Sequence, residues 1–72
     1  MQYYIAVFRA RSETITFAGL LRSYCPAQVI NTPRTINVSC GISVKFSASN
    51  IQFAKEILSR RRFDTFVGLF QI

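Results

Sequence analysis

The stretch Thr32-Pro33-Arg34-Thr35-Ile36-Asn37-Val38-Ser39-Cys40-Gly41 is the longest in this chain with neither a helical nor a strand period. It joins two apolar runs, residues 27–30 and 42–46. A hairpin usually closes with two to five residues, so a connection of about ten is too long for a simple turn. Connections of this length are more often functional than short ones. This one carries a proline, an arginine, and a cysteine followed at once by glycine. The first question is whether Cys40 does chemistry there or only fills space.

The segments on either side have readable periods. Tyr3–Phe8 is a continuous apolar run and predicts a buried central strand. Arg9, Ala10 and Arg11 end it. Ser12 is a suitable helix N-cap, and Glu13 suits the positive end of a helix. Phe17, Leu20, Leu21 and Tyr24 recur at i, i+3, i+4 and i+7, one face of a helix that Pro26 stops at about Tyr24 or Cys25. Ala27–Asn31 predicts a second strand. Ile42, Val44 and Phe46 alternate with Ser43, Lys45 and Ser47, a strand with one face inward and one exposed. Ser47 or Ser49 caps a second helix with Ile51, Ala54, Ile57 and Leu58 on its apolar face. That helix ends in Arg60, Arg61 and Arg62, where cations suit the dipole. Residues 63–72 predict a last strand.

The order β-α-β-β-α-β fits an α+β, ferredoxin-like sandwich. Two right-handed crossovers give an antiparallel sheet in the order 4-1-3-2, with two helices on one face. This topology places residues relative to one another. The first strand runs toward one edge, here called the upper edge. The first helix starts there, the long connection crosses there, and the second helix ends there. Cys40, Arg9, Arg11, Ser12 and the Arg60, Arg61 and Arg62 run therefore share that edge. Cys40 has the parity of Ile42 and Val44, so its side chain should lean toward the helices. Cys25 falls at the lower edge. A strand of five residues is roughly 17 Å long, whereas bridged cysteine Cα atoms lie within about 7 Å. No Cys25–Cys40 disulfide is expected.

Composition removes several kinds of function. With 72 residues the chain has room for one domain, residues 1–72, and a modest core. There is no His, and Glu13, Glu56 and Asp64 are the three acids. A Ser-His-Asp or Cys-His arrangement is excluded, as are an ordinary glycosidase pair and a zinc spacing. Two cysteines do not make a disulfide framework, and in a reducing compartment both are thiols. No apolar run reaches the ~20 residues needed to cross a bilayer, and Met1 to Phe8 is too short for a signal peptide and has no basic segment before it. The expectation is a cytoplasmic chain with no membrane contact, no metal and no cofactor. Nine basic residues give a net charge of +6, which suggests an anionic partner or substrate.

Cys40 is the best chemical candidate. A thiol is nucleophilic as thiolate, and helix N-termini and cations favour that form. Gly41 lacks a Cβ and allows close approach of a partner. Arg34 can orient an anionic group near Cys40, and Pro33 stiffens the loop. Each has a plainer reading: Cys40 as a small hydrophobe, Pro33 and Arg34 as a rigid turn with a solvated charge, the three arginines as a solvated helix end. Cys25, between an aromatic residue and a proline, reads as packing. Tyr3, Tyr4, Phe8, Phe66 and Phe70 could stack on bases. The third strand lacks the Lys/Arg-Gly-Phe type of motif, however, so nucleic-acid binding is disfavoured.

Taken together, the Tyr3–Phe8 strand, the helix after it, Pro33-Arg34-x-Ile36, and Ser39-Cys40-Gly41 leading into residues 42–46 resemble a family of small bacterial proteins, the "putative Se/S carrier protein-like" family. The resemblance covers essentially the whole chain, and Pro-Arg-x-Ile-x-x-Ser-Cys-Gly is its most specific part. It implies that Cys40 is a carrier thiol, taking sulfur or selenium as a transient persulfide or selenium adduct. Pro33, Arg34, Ser39 and Gly41 of the matched motif would stand beside it. Arg9, Arg11 and Ser12 come from the topology and not from the resemblance: they share the upper edge and are expected to line the substrate side. The resemblance also implies sulfur or selenium donor and acceptor proteins as partners, and a carrier more than an autonomous enzyme. The alternative is a non-catalytic interaction module, a homodimer or a docking partner, using aromatics on the sheet face opposite the helices.

Overall fold

The computed structural model describes residues 2–36 and 40–72. The elements are β1 (Tyr3–Phe8), α1 (Arg11–Arg22), β2 (Ala27–Asn31), β3 (Ile42–Ser47), α2 (Ile51–Arg60) and β4 (Phe66–Gln71). A single 3-10 turn, Ala48–Asn50, leads into α2. The strands form one antiparallel sheet in the order β2-β3-β1-β4. This is the expected α+β, ferredoxin-like arrangement.

β1 is central because it is apolar on both faces. Ile5, Ala6, Val7 and Phe8 are all fully buried. Ala6 and Phe8 face the helices, where they join Phe17, Ala18, Leu21, Val44, Phe46, Ala54 and Ile57 in one core. Ile5 and Val7 alternate to the opposite face. The Phe8 ring lies 5.3 Å from each of the Phe17, Phe63 and Phe66 rings, in tilted contacts. Burying one such ring contributes roughly 1.5–3 kcal/mol. This aromatic cluster fills the upper half of the core, below the end of β1.

Several boundaries differ from the sequence-based expectation. Ala10, not Ser12, is the N-cap of α1, and no side chain caps it. The chain turns earlier because the end of β1 is tied to Thr65. The Arg9 amide donates to the Thr65 carbonyl at 2.9 Å and the Ala10 amide to Thr65 Oγ1 at 3.1 Å. Ser12 becomes an exposed residue of the first turn. α1 stops at Arg22, and the Tyr24 and Cys25 amides close its end on the Leu21 carbonyl. Tyr24 is therefore exposed, stacked on Phe53, and Thr14 takes a place in the buried stripe with Phe17, Ala18 and Leu21. β4 begins at Phe66, since Asp64 and Thr65 form a turn whose amides are held by Glu13. Ser43 was expected to be exposed. It is fully buried and its hydroxyl is bonded to that of Thr32.

Candidate functional site

The upper edge is built by four chain segments that end or turn there. The Cys40 amide donates to the Phe8 carbonyl at 3.2 Å, which pins the connection to the last residue of β1. The Thr32 amide donates to the Gly41 carbonyl at 2.9 Å, carrying the β2–β3 ladder one step past its ends. Gly41 has a φ of +101°, a backbone angle that a side chain would strain. Glycine is thus required for the chain to pass from Cys40 into β3.

The Cys40 side chain leans toward the helix layer, as its parity predicts. Its Sγ lies 3.6 Å from Thr14 Oγ1 in the first turn of α1 and 3.7 Å from the Ile42 carbonyl oxygen. The residue is half-buried. Thr14 was not singled out from the sequence. It is fully buried, and its hydroxyl also reaches the Ala10 carbonyl at 3.2 Å. The available signal was its spacing, three and four residues before Phe17 and Ala18. Because Sγ lies against the first turn, the partial positive charge of the helix N-terminus acts on it directly. Among the described residues neither an acid nor any other ionisable side chain is bonded to Sγ; its partners there are a hydroxyl and a carbonyl.

The charges of this edge are unequally neutralised. Glu13 accepts hydrogen bonds from Thr65 Oγ1, from the Thr65 amide at 2.8 Å and from the Asp64 amide at 2.9 Å. The Thr65 hydroxyl, with these two amides, holds its carboxyl below the usual range against the opposing effect of burial. Arg60 pairs with Glu56 at 2.7 Å and Arg62 with Asp64 at 3.1 Å. The Arg61 guanidinium lies 6.0 Å from the centre of the Phe63 ring. All three acids of the chain are thereby engaged. Arg9, Arg11 and Arg34, all exposed, form no ion pair among the described residues. The edge around Cys40 is left with a surplus of positive charge.

Residues 3–65 match the family described as "putative Se/S carrier protein-like". The chain belongs to that family. No curated protein and no solved structure matches it.

Within this Se/S carrier-like chain, the residues proposed from the sequence fall in three groups. Cys40, Gly41, Arg9, Arg11 and Ser12 come together at the upper edge through β1, α1 and the bond between Cys40 and Phe8. Pro33 and Arg34 sit in a turn closed by the Ile36 amide on the Pro33 carbonyl at 3.0 Å, directly after β2. Ser39 lies outside the described residues. Cys25 is at the other end of the sheet, 8% exposed, within the core. Burial pushes its thiol up from the ordinary value. Both cysteines are free. Two surface hollows are also at the lower edge, one between Tyr3, Ala27, Lys45 and Asn50 and one along residues 22–28. Cys40 lines neither of them. Among the described residues no group of His, Cys, Asp and Glu could hold a metal ion, and no helix is long and apolar enough to cross a membrane.

Proposed function

We propose that this protein carries sulfur or selenium as a transient adduct of Cys40. The observation that carries this reading is the position of Cys40 Sγ: half-exposed, against the first turn of α1, on an edge where the arginines outnumber the free acids. Membership of the Se/S carrier-like family supports it.

The step needs no cofactor. The Cys40 thiolate attacks the outer sulfur of a persulfide on a donor protein. A bond forms between Cys40 Sγ and that sulfur, and the donor's own sulfur–sulfur bond breaks. The donor leaves as a thiolate, and Cys40 becomes a persulfide. With selenium as the outer atom the same bonds form and break. The reverse attack, by a nucleophile of an acceptor protein, releases the cargo and regenerates the Cys40 thiolate. Among the described residues no acid or base is bonded to Sγ, so donor and acceptor supply those groups.

Arg9, Arg11 and Arg34 then steady the anionic sulfur species and the acidic rim of a partner. Gly41 and Ser12 keep the approach to Sγ low and polar, Pro33 stiffens the connection, and Ser39 belongs to the site through the sequence motif alone. The protein acts as one domain in the cytoplasm, where donor persulfides and reduced thiols coexist.

Incubation with a cysteine desulfurase and free cysteine tests this. The expected result is addition of one sulfur mass to the Cys40 peptide, removable by dithiothreitol, and none to the Cys25 peptide. A protein that gains no mass from sulfur or selenium donors, with Cys40 no more alkylated than Cys25, would end the carrier reading.

A further inference from the structure

Thr14 and Ser43 are fully buried polar side chains. Ser43 is accounted for by its bond to Thr32 within the sheet. Thr14 is different, since its partners lie on two sides: the Ala10 carbonyl at 3.2 Å and Cys40 Sγ at 3.6 Å. A hydroxyl has one hydrogen and can donate to only one of them at a time.

We infer that the Thr14 hydroxyl is the positioning group of the Cys40 thiolate, donating to the Ala10 carbonyl while Cys40 is a thiol and turning onto Sγ once the proton has left. Its use in sulfur transfer rests on the carrier reading above, whereas the switch itself rests on the geometry alone.

In the thiol state every group has a partner. Cys40 S–H donates to the Ile42 carbonyl at 3.7 Å, and the Thr14 hydroxyl donates to Ala10. When the thiol loses its proton to solvent, Sγ can only accept, and the Ile42 carbonyl then faces it with a like partial charge. Thr14 Oγ1, already 3.6 Å from Sγ, can then donate to it. Turning its hydrogen away from Ala10 orphans nothing, because the Thr14 amide donates to the same carbonyl at 3.2 Å. Only a hydrogen moves, by rotation about the Cβ–Oγ1 bond. The branched threonine side chain, held in the core stripe between α1 and the sheet, keeps Oγ1 in place. A hydrogen bond to a charged acceptor is worth more than one between neutral groups. The hydroxyl therefore favours the thiolate and fixes the direction in which Sγ points.

Charged groups on the surrounding elements are Arg9 after β1, Arg11, Glu13 and, at the far end, Arg22 on α1, Arg34 in the connection, Lys45 on β3 and Arg61, Arg62 and Asp64 after α2. None is bonded to Sγ, and all stay unchanged when Thr14 is replaced. A change in the behaviour of Cys40 on replacing Thr14 thus reports on the hydroxyl.

The test is the pH profile of Cys40 alkylation by iodoacetamide, followed on the Cys40 peptide by mass spectrometry. Thr14→Val keeps the branched shape and removes the hydroxyl. Its profile should move to higher pH, with a rate at neutral pH roughly fivefold to tenfold below wild type. Thr14→Ser restores the hydroxyl and should return the rate to within about twofold. Thr14→Ala serves as a second hydroxyl-free variant if the valine disturbs the fold, as judged by thermal unfolding, and should shift the same way. Superimposable profiles for wild type and the hydroxyl-free variants would overturn the inference, as would a serine variant as slow as the valine one. The two proposals fail separately. Sulfur loading with coincident profiles removes the role of Thr14 and leaves the carrier. Separated profiles without loading on wild type do the reverse.

Discussion

Each end of the sheet holds one cysteine, and the two ends treat it in opposite ways. At the lower edge Cys25 follows the last turn of α1 with its amide on the Leu21 carbonyl, and its side chain is part of the core. Burial keeps its thiol protonated. At the upper edge Cys40 stands two residues before β3, is half-buried, and has a hydroxyl and a carbonyl on its sulfur. The lower cysteine is part of the apolar core, whereas the upper one has polar partners on its sulfur and shares its edge with arginines that form no ion pair among the described residues. Two residues of one type thus meet different surroundings, one buried beyond the last turn of α1 and one half-buried against its first turn. Two surface hollows, one between Tyr3, Ala27, Lys45 and Asn50 and one along residues 22–28, lie at the lower edge with Cys25.

The largest effect expected from this contrast is all-or-none. Cys40→Ser should abolish loading of sulfur or selenium from a donor, while Cys25→Ala should leave loading within about twofold of wild type and lower stability by about 1 kcal/mol, the usual scale for a core truncation of this size. Mass spectrometry after incubation with the donor reads the first, and thermal or denaturant unfolding the second. Loading on Cys25 with Cys40 absent would break the comparison outright.

The contrast was partly visible in the sequence. Alternation carried the parity of Ile42 and Val44 back through Gly41, which placed Cys40 on the helix side. The order of periods gave the sheet and so set the two cysteines at opposite edges. What was not visible depends on partners far along the chain. Ser12 looked like a cap, but the start of α1 is set by Thr65, which binds the Arg9 and Ala10 amides. Thr14 looked like any polar residue of a first turn until Cys40 came to lie beside it. Phe63 extended an apolar run, yet β4 waits until Phe66 because Glu13 holds the intervening turn. The arginine run read as free charge, and two of its three members are paired with acids. Ser39 lies outside the described residues, so its part of the motif rests on the sequence alone.

A second test concerns the charge surplus. Arg9→Glu combined with Arg11→Glu should slow transfer from a donor protein roughly tenfold at low salt, with the difference shrinking as salt rises, because exposed charges act mainly on encounter and are screened. Alkylation by a small neutral reagent should change far less. Initial rates of loading across a salt series check this. A rate that ignores both the reversal and the salt would mean that the arginines are solvated and take no part in docking.

Glu13 ties the start of α1 to the turn before β4, so it is the acid on which the shape of the upper edge depends most. Its carboxyl is held below the ordinary value near 4.5 by the Thr65 hydroxyl and by the amides of Thr65 and Asp64. A depressed carboxylate contributes stability above the unfolded value, and that stability is lost as pH falls through the folded value. Glu13→Gln should therefore lower the unfolding midpoint by a few degrees at neutral pH. The gap from wild type should close on acidification below about 4.5. Replacing Glu56, whose carboxylate makes an exposed pair with Arg60, should change the midpoint far less. A midpoint gap that stays constant with pH would show that the Gln variant is destabilised by lost shape rather than lost charge.

The smallest effect belongs to the lower edge. Tyr24 and Phe53 stack with ring centres 5.6 Å apart and planes 16° from parallel, joining the end of α1 to α2. Both rings are largely in water, at 55% and 38% exposure, so little apolar area is removed by the contact. Aromatic pairs contribute about 0.5–1.5 kcal/mol beyond area burial, and exposure puts this one at the lower limit. Tyr24→Ala should cost about 0.5 kcal/mol, and a double-mutant cycle with Phe53→Ala should give a coupling of the same size. Alkylation of Cys40 should not change, since the pair lies at the far end of α1 from Thr14. A coupling well above 1 kcal/mol, or a shifted Cys40 profile, would mean that the stack sets the position of α1 along its whole length. The two edges would then be linked through the helix that touches both cysteines, and could no longer be treated as independent regions.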